Sequence, residues 1–79
     1  MNDIFHQLQN AMAQALKIVP DKINQESRVG SIAEWDSLGH VNLMITIEQT
    51  FGVELQVEDF QELVSVPAIL TFLKHRGIE

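Results

Sequence analysis

Seventy-nine residues, 46% of them hydrophobic, suffice for one small domain over residues 1–79 but leave too little chain to build a deep catalytic pocket with its supporting shell. The absence of cysteine and the unrelated spacings of His6, His40 and His75 exclude a disulfide framework and a closed zinc site. Eleven acidic residues against five basic ones, net −6, have the wrong sign for a nucleic-acid partner, so binding or carrying is favoured over stand-alone catalysis.

Ile4, Phe5, Leu8, Ala11, Met12, Ala15 and Leu16 recur at the three-and-four spacing of one helical face, and Asp3 is available as N-cap. A first helix is expected from Asp3 to about Lys17, ended by Pro20-Asp21. Residues 18–36 show no sustained period and carry turn formers at Asn24, Ser27, Gly30 and Ser31. Long loops in compact domains are commonly functional, which directs attention to the end of this one. A second helix is expected over Ser37 to Phe51, with Asp36 at the N-cap and Gly52 at the C′ position. After a connection over Gly52 to Gln56, the acidic stretch Val57 to Leu63 reads as a short third helix with Phe60 and Leu63 on one face. Ser65 caps a fourth, with Pro67 in its first turn and Ile69, Leu70, Phe72 and Leu73 supplying its apolar face. It ends at Gly77, and Lys74, His75 and Arg76 complement the negative end of its dipole.

The one alternating stretch, Val53-Glu54-Leu55, is too short for a strand. The fold class is therefore all-α, a four-helix bundle with a long first loop and a short third helix. No apolar run reaches the roughly 18 residues of a membrane span, and the N-terminus lacks the basic-then-apolar pattern of a targeting segment. A cytoplasmic monomer is expected.

Between Arg28 and Lys74 there is no Lys or Arg, while Glu34, Asp36, Glu48, Glu54, Glu58, Asp59 and Glu62 all fall there. Such a field steers a protein toward basic partners, or simply keeps its surface soluble. On a helical wheel the second helix places Leu43, Met44, Ile47 and Phe51 on one arc and Leu38, Val41 and Ile45 on an adjoining one. The combined apolar arc spans about 220°, roughly twice what a surface helix needs to face a core. Either this helix is buried on most sides, or it keeps Val41 and Ile45 for a partner beside Ser37. The backbone N–H groups at its start favour negative charge and can receive a phosphate ester.

Glu34-Trp35-Asp36-Ser37-Leu38-Gly39-His40-Val41-Asn42-Leu43, followed by Ile47-Glu48-Gln49-Thr50-Phe51-Gly52-Val53 and the final Val66-Pro67-Ala68-Ile69, resembles the acyl carrier protein family over nearly the whole chain. The resemblance implies that Ser37 accepts 4′-phosphopantetheine from coenzyme A, by action of a separate phosphopantetheinyl transferase with magnesium. It implies no catalytic residue and no resident metal. Acyl groups would then be carried as thioesters between loading and processing enzymes with basic docking surfaces. By the same resemblance Asp36 helps the transferase recognise the site, Leu38 and Ile45 meet partners, joined by Val41 from its place on the wheel, and Leu43, Ile47 and Phe51 line a space for the acyl chain. Glu48 is a candidate partner for an enzyme's Arg or Lys, or a solvated helix glutamate. Trp35 packs under the loop or flanks the site.

Two departures from the pattern bear on pathway. Carriers of primary fatty-acid synthesis usually place Glu where this chain has Asn42, and run three acidic residues where it has Glu48-Gln49-Thr50. Charge complementarity selects partners, so a specialised lipid, polyketide or peptide-like pathway is expected. Two other classes compete: a cofactor-free acidic helical adaptor, and a hydrolase using Ser37 with His40. The hydrolase is disfavoured because Gly-x-Ser-x-Gly is absent and no third group is suggested.

Overall fold

The computed structural model describes residues 4–78. Four helices follow in order, α1 (Ile4–Leu16), α2 (Ser37–Phe51), α3 (Val57–Glu62) and α4 (Val66–His75), and no strand occurs among the described residues. The expected cap Asp3 lies outside them.

α1 buries Leu8, Ala11, Met12, Ala13 and Leu16. It ends at Leu16, within a residue of the expected Lys17, but Pro20-Asp21 is not what stops it. Lys17 turns into the left-handed region at φ 60°, and the Ile18 N–H donates back to the Ala13 carbonyl at 3.1 Å, a Schellman closure. Pro20 instead opens a single 3-10 turn over Pro20–Lys22.

The long loop is stitched to the bundle rather than draped over it. The Gln9 side-chain amide, projecting from α1, donates to the carbonyls of Pro20 and Ile23, both at 2.8 Å. Further on, Val29 N–H donates to the Val64 carbonyl and Val66 N–H to the Ser27 carbonyl, both at 2.9 Å, forming an antiparallel bridge between Arg28 and Ser65. Ile23, Ile32 and Trp35 drop from the loop into the core. These contacts satisfy backbone groups that a buried loop would otherwise strand.

α2 runs from the Asp36 cap to Gly52, whose φ of 67° permits the left-handed stop. Leu43, Met44 and Ile47 are fully buried, whereas Leu38, Val41 and Ile45 remain 72, 43 and 44% exposed. The wide apolar arc thus divides into a core half and a solvent half. α3 ends at Glu62, one residue short of expectation, and its start is fixed by Gln56 N–H donating to Asp59 Oδ2 at 2.8 Å. None of its residues is fully buried. α4 begins with Ala68 N–H on Ser65 Oγ at 3.2 Å and buries Val66, Ile69 and Leu73. Lys74 and His75 occupy its last turn, while Arg76 forms the C-cap and lays its guanidinium over Phe72 at 4.5 Å.

Candidate functional site

The end of the loop and the first turn of α2 form one rigid corner. Asp36 is extended, its Oδ1 accepts the Gly39 N–H at 2.9 Å, and its carbonyl accepts the His40 N–H at 2.7 Å. Those two bonds consume the third and fourth amides of the helix start. The Ser37 and Leu38 N–H groups have no acceptor among the described residues, and they lie beside an exposed Ser37 hydroxyl.

Ser37 stands apart from the other serines. Ser27 is buried and accepts from Asn24 N–H, Ser31 is tied to Arg28, and Ser65 caps α4. Only the Ser37 hydroxyl is both exposed and without a bond among the described residues. A phosphate ester formed there would meet the two free amides and the positive end of the helix dipole. The residues therefore fit a phosphate-linked arm.

Two neighbours hold this corner. Gly39 admits the loop at close range: a Cβ there would collide with the Glu34 carbonyl and approach Leu16 Cδ2 to 3.0 Å. Trp35 is fully buried, and its indole Nε1–H donates to His40 Nδ1 at 3.0 Å. Because an indole only donates, Nδ1 must accept, which leaves the proton on Nε2 to be donated to the Phe60 carbonyl at 2.7 Å. Both His40 nitrogens are thereby committed, so this imidazole does not serve Ser37 as a base.

The remaining candidate residues divide by environment. Leu38, Val41 and Ile45 form an exposed apolar stripe running down α2 from beside Ser37. Leu43 and Ile47 lie in the closed core, with Phe51 half-buried at its edge. Glu48 is half-buried, and its Oε2 accepts the Leu55 N–H at 3.0 Å, so it holds the α2–α3 connection. A groove of about 270 Å³ runs between the end of α1 and the start of α2, walled by Lys17, Glu34, Asp36, Leu38 and Asn42 among others.

Residues 6–73 match the family model of the phosphopantetheine attachment site. The chain belongs to the acyl carrier protein family. An acyl carrier protein of Phaeodactylum tricornutum is 32% identical over 74 residues, spanning 94% of this chain and 97% of its own. That of Buchnera aphidicola is 31% identical over 74 residues, with 94 and 95% of the two chains covered. That of Campylobacter hominis is 23% identical over 73 residues, with 92% of each covered. As an acyl carrier protein the chain is a non-catalytic carrier with a covalently attached 4′-phosphopantetheine, served by a transferase and by acyl-handling enzymes. The prosthetic group sets aside the cofactor-free adaptor. No described helix is long and apolar enough to cross a membrane.

Three residues support this carrier's corner in ways that their types alone do not reveal. Gly39 is a glycine in the first turn of α2 whose need appears only once the Glu34 carbonyl lies against it. From its type His40 reads only as a base, and Trp35 as a packed or flanking ring, of which the packed reading holds. The signal for them was the clustering of Trp35, Gly39 and His40 around Ser37, but not the bonds that join them.

Proposed function

We propose that residues 1–79 form one carrier domain whose arm is attached at Ser37. The observation that carries this reading is that, of four serines, Ser37 alone offers an exposed, unbonded hydroxyl, and does so at a helix start with two free amides. In the attachment step Ser37 Oγ gives up its proton and bonds to the pantetheine-side phosphorus of coenzyme A. The pyrophosphate bond breaks, and the adenosine bisphosphate leaves. Asp36 holds the first turn rigid through Gly39 N–H, so the hydroxyl is presented in a fixed register. The arm, once attached, supplies the thiol that a cysteine-free chain lacks, on which acyl groups are held as thioesters.

The exposed stripe of Leu38, Val41 and Ile45 is the docking surface for the transferase and for loading and processing enzymes, with Asp36 and Glu34 offering charge to basic residues around it. Asn42, Gln49 and Thr50 are exposed and neutral on the same helix. This supports service in a specialised lipid, polyketide or peptide-like pathway with dedicated enzymes. Proteolysis of the loaded chain followed by tandem mass spectrometry tests the attachment point. The group is expected on Ser37, and its recovery on Ser27, Ser31 or Ser65 would refute the assignment. For the pathway, combined Asn42→Glu, Gln49→Glu and Thr50→Glu should improve handling by enzymes of primary fatty-acid synthesis; an unchanged rate would count against charge-based selection.

A further inference from the structure

We propose that His40 is a positioning residue that makes the presentation of Ser37 depend on the docking of α3. The inference rests on Ser37 being the attachment point. α3 has six residues, none fully buried, and a helix so short does not sustain itself in water. Its Phe60 carbonyl is among the last four, which have no partner within the helix. His40 Nε2–H fills that vacancy at 2.7 Å, acting across the bundle as a C-cap for α3. The other nitrogen of the same ring holds Trp35, two residues before Ser37, at 3.0 Å. Trp35 in turn ties the loop's end, since its N–H donates to the Ile32 carbonyl and its carbonyl accepts the Gly30 N–H. One buried ring therefore connects α3 to the loop end that sets Asp36 and Ser37.

The two bonds act in series, so breaking either one uncouples α3 from Ser37. His40→Asn places an amide oxygen near the site of Nδ1 and can keep the Trp35 bond while losing Phe60. His40→Gln places an amide nitrogen near the site of Nε2 and can keep the Phe60 bond while losing Trp35. Trp35→Phe removes only the indole donor. Transferase loading of the full chain should fall about tenfold or more in kcat for each of the three, with KM within about twofold of wild type, because the exposed docking stripe is untouched while the acceptor oxygen is misplaced. Folded variants that load with wild-type kcat, or whose defect lies in KM alone, would overturn the proposal.

Native-state hydrogen exchange on the unsubstituted, unloaded chain gives a second readout that needs no variant to fold. The Trp35 indole proton and the Leu63 amide, which closes the end of α3, should open with the same free energy. A Trp35 indole that stays protected while Leu63 exchanges freely would overturn the coupling. If the wild type accepts no phosphopantetheine at all, the attachment reading fails, while the exchange result still judges the coupling itself.

Discussion

Gly39→Ala sets two forces of opposite sign against each other. Alanine is favoured over glycine by up to about 1 kcal/mol in a helix, the full figure applying to the interior and Gly39 lying in the first turn, so propensity alone makes the variant more stable. The new methyl would meet the Glu34 carbonyl in a collision, Leu16 Cδ2 at 3.0 Å and Asp36 Oδ1 at 3.3 Å. Leu16 can yield by turning its side-chain end. The Glu34 carbonyl is backbone, and the next residue, Trp35, is fully buried and held by three hydrogen bonds. Relief must therefore move the loop or the first turn of α2, and overpacking of this kind costs about 1–3 kcal/mol. With the obstacle rigid, the cost lies in the upper part of that range, leaving a net loss of about 1–2 kcal/mol. For a domain of this size that corresponds to a melting temperature about 5–15 °C lower. Thermal melts followed by far-UV circular dichroism measure the global loss, and the emission of the single tryptophan reports the corner itself. A melting temperature equal to or above wild type would show that the loop gives way freely, and would refute the rigid corner.

Three further perturbations probe the surface and the connections. Ile45→Asp, at a side chain 44% exposed, should change stability by no more than about 0.5 kcal/mol yet weaken transferase binding about tenfold; loss of folding would place Ile45 in the core. Glu48→Ala strands the Leu55 N–H and should cost about 1–3 kcal/mol in a denaturant melt, whereas Glu48→Gln keeps an acceptor and should melt near wild type; equal loss in both would deny the Leu55 bond its role. Because seven acidic residues lie between Arg28 and Lys74 with no basic residue among them, moderate salt should raise the melting temperature, and indifference to salt would argue against self-repulsion.

What the sequence made legible was local chemistry. Asp36 and Gly52 bracket α2, and Ser65 with Pro67 opens α4, because caps act within a turn of the residues that form them. The end of α1 falls within a residue of the expected one, but its cause was not legible: Lys17, not a glycine, takes the left-handed stop, and the conspicuous Pro20 lies beyond it. The order within the loop comes from Gln9 and from the bridge between Arg28 and Ser65, partners that leave no period in the sequence. At the candidate site, the Asp36-Ser37-Leu38 junction was readable from its pattern. Which half of the α2 arc faces the core came from the family resemblance and not from the helical wheel, since Leu43 and Val41 are equally apolar and only packing separates them. Glu48 read as a charge for a partner or as a solvated glutamate, and the amide it accepts lies seven residues away across a turn.

The central claim is that this carrier holds its arm on Ser37. The most direct test is intact mass after incubation with coenzyme A, magnesium and a broad-specificity phosphopantetheinyl transferase, with Ser37→Ala alongside. The account expects the wild type to gain one phosphopantetheine and Ser37→Ala to gain none. A folded wild type that gains nothing, or a Ser37→Ala variant that gains as much, would contradict it.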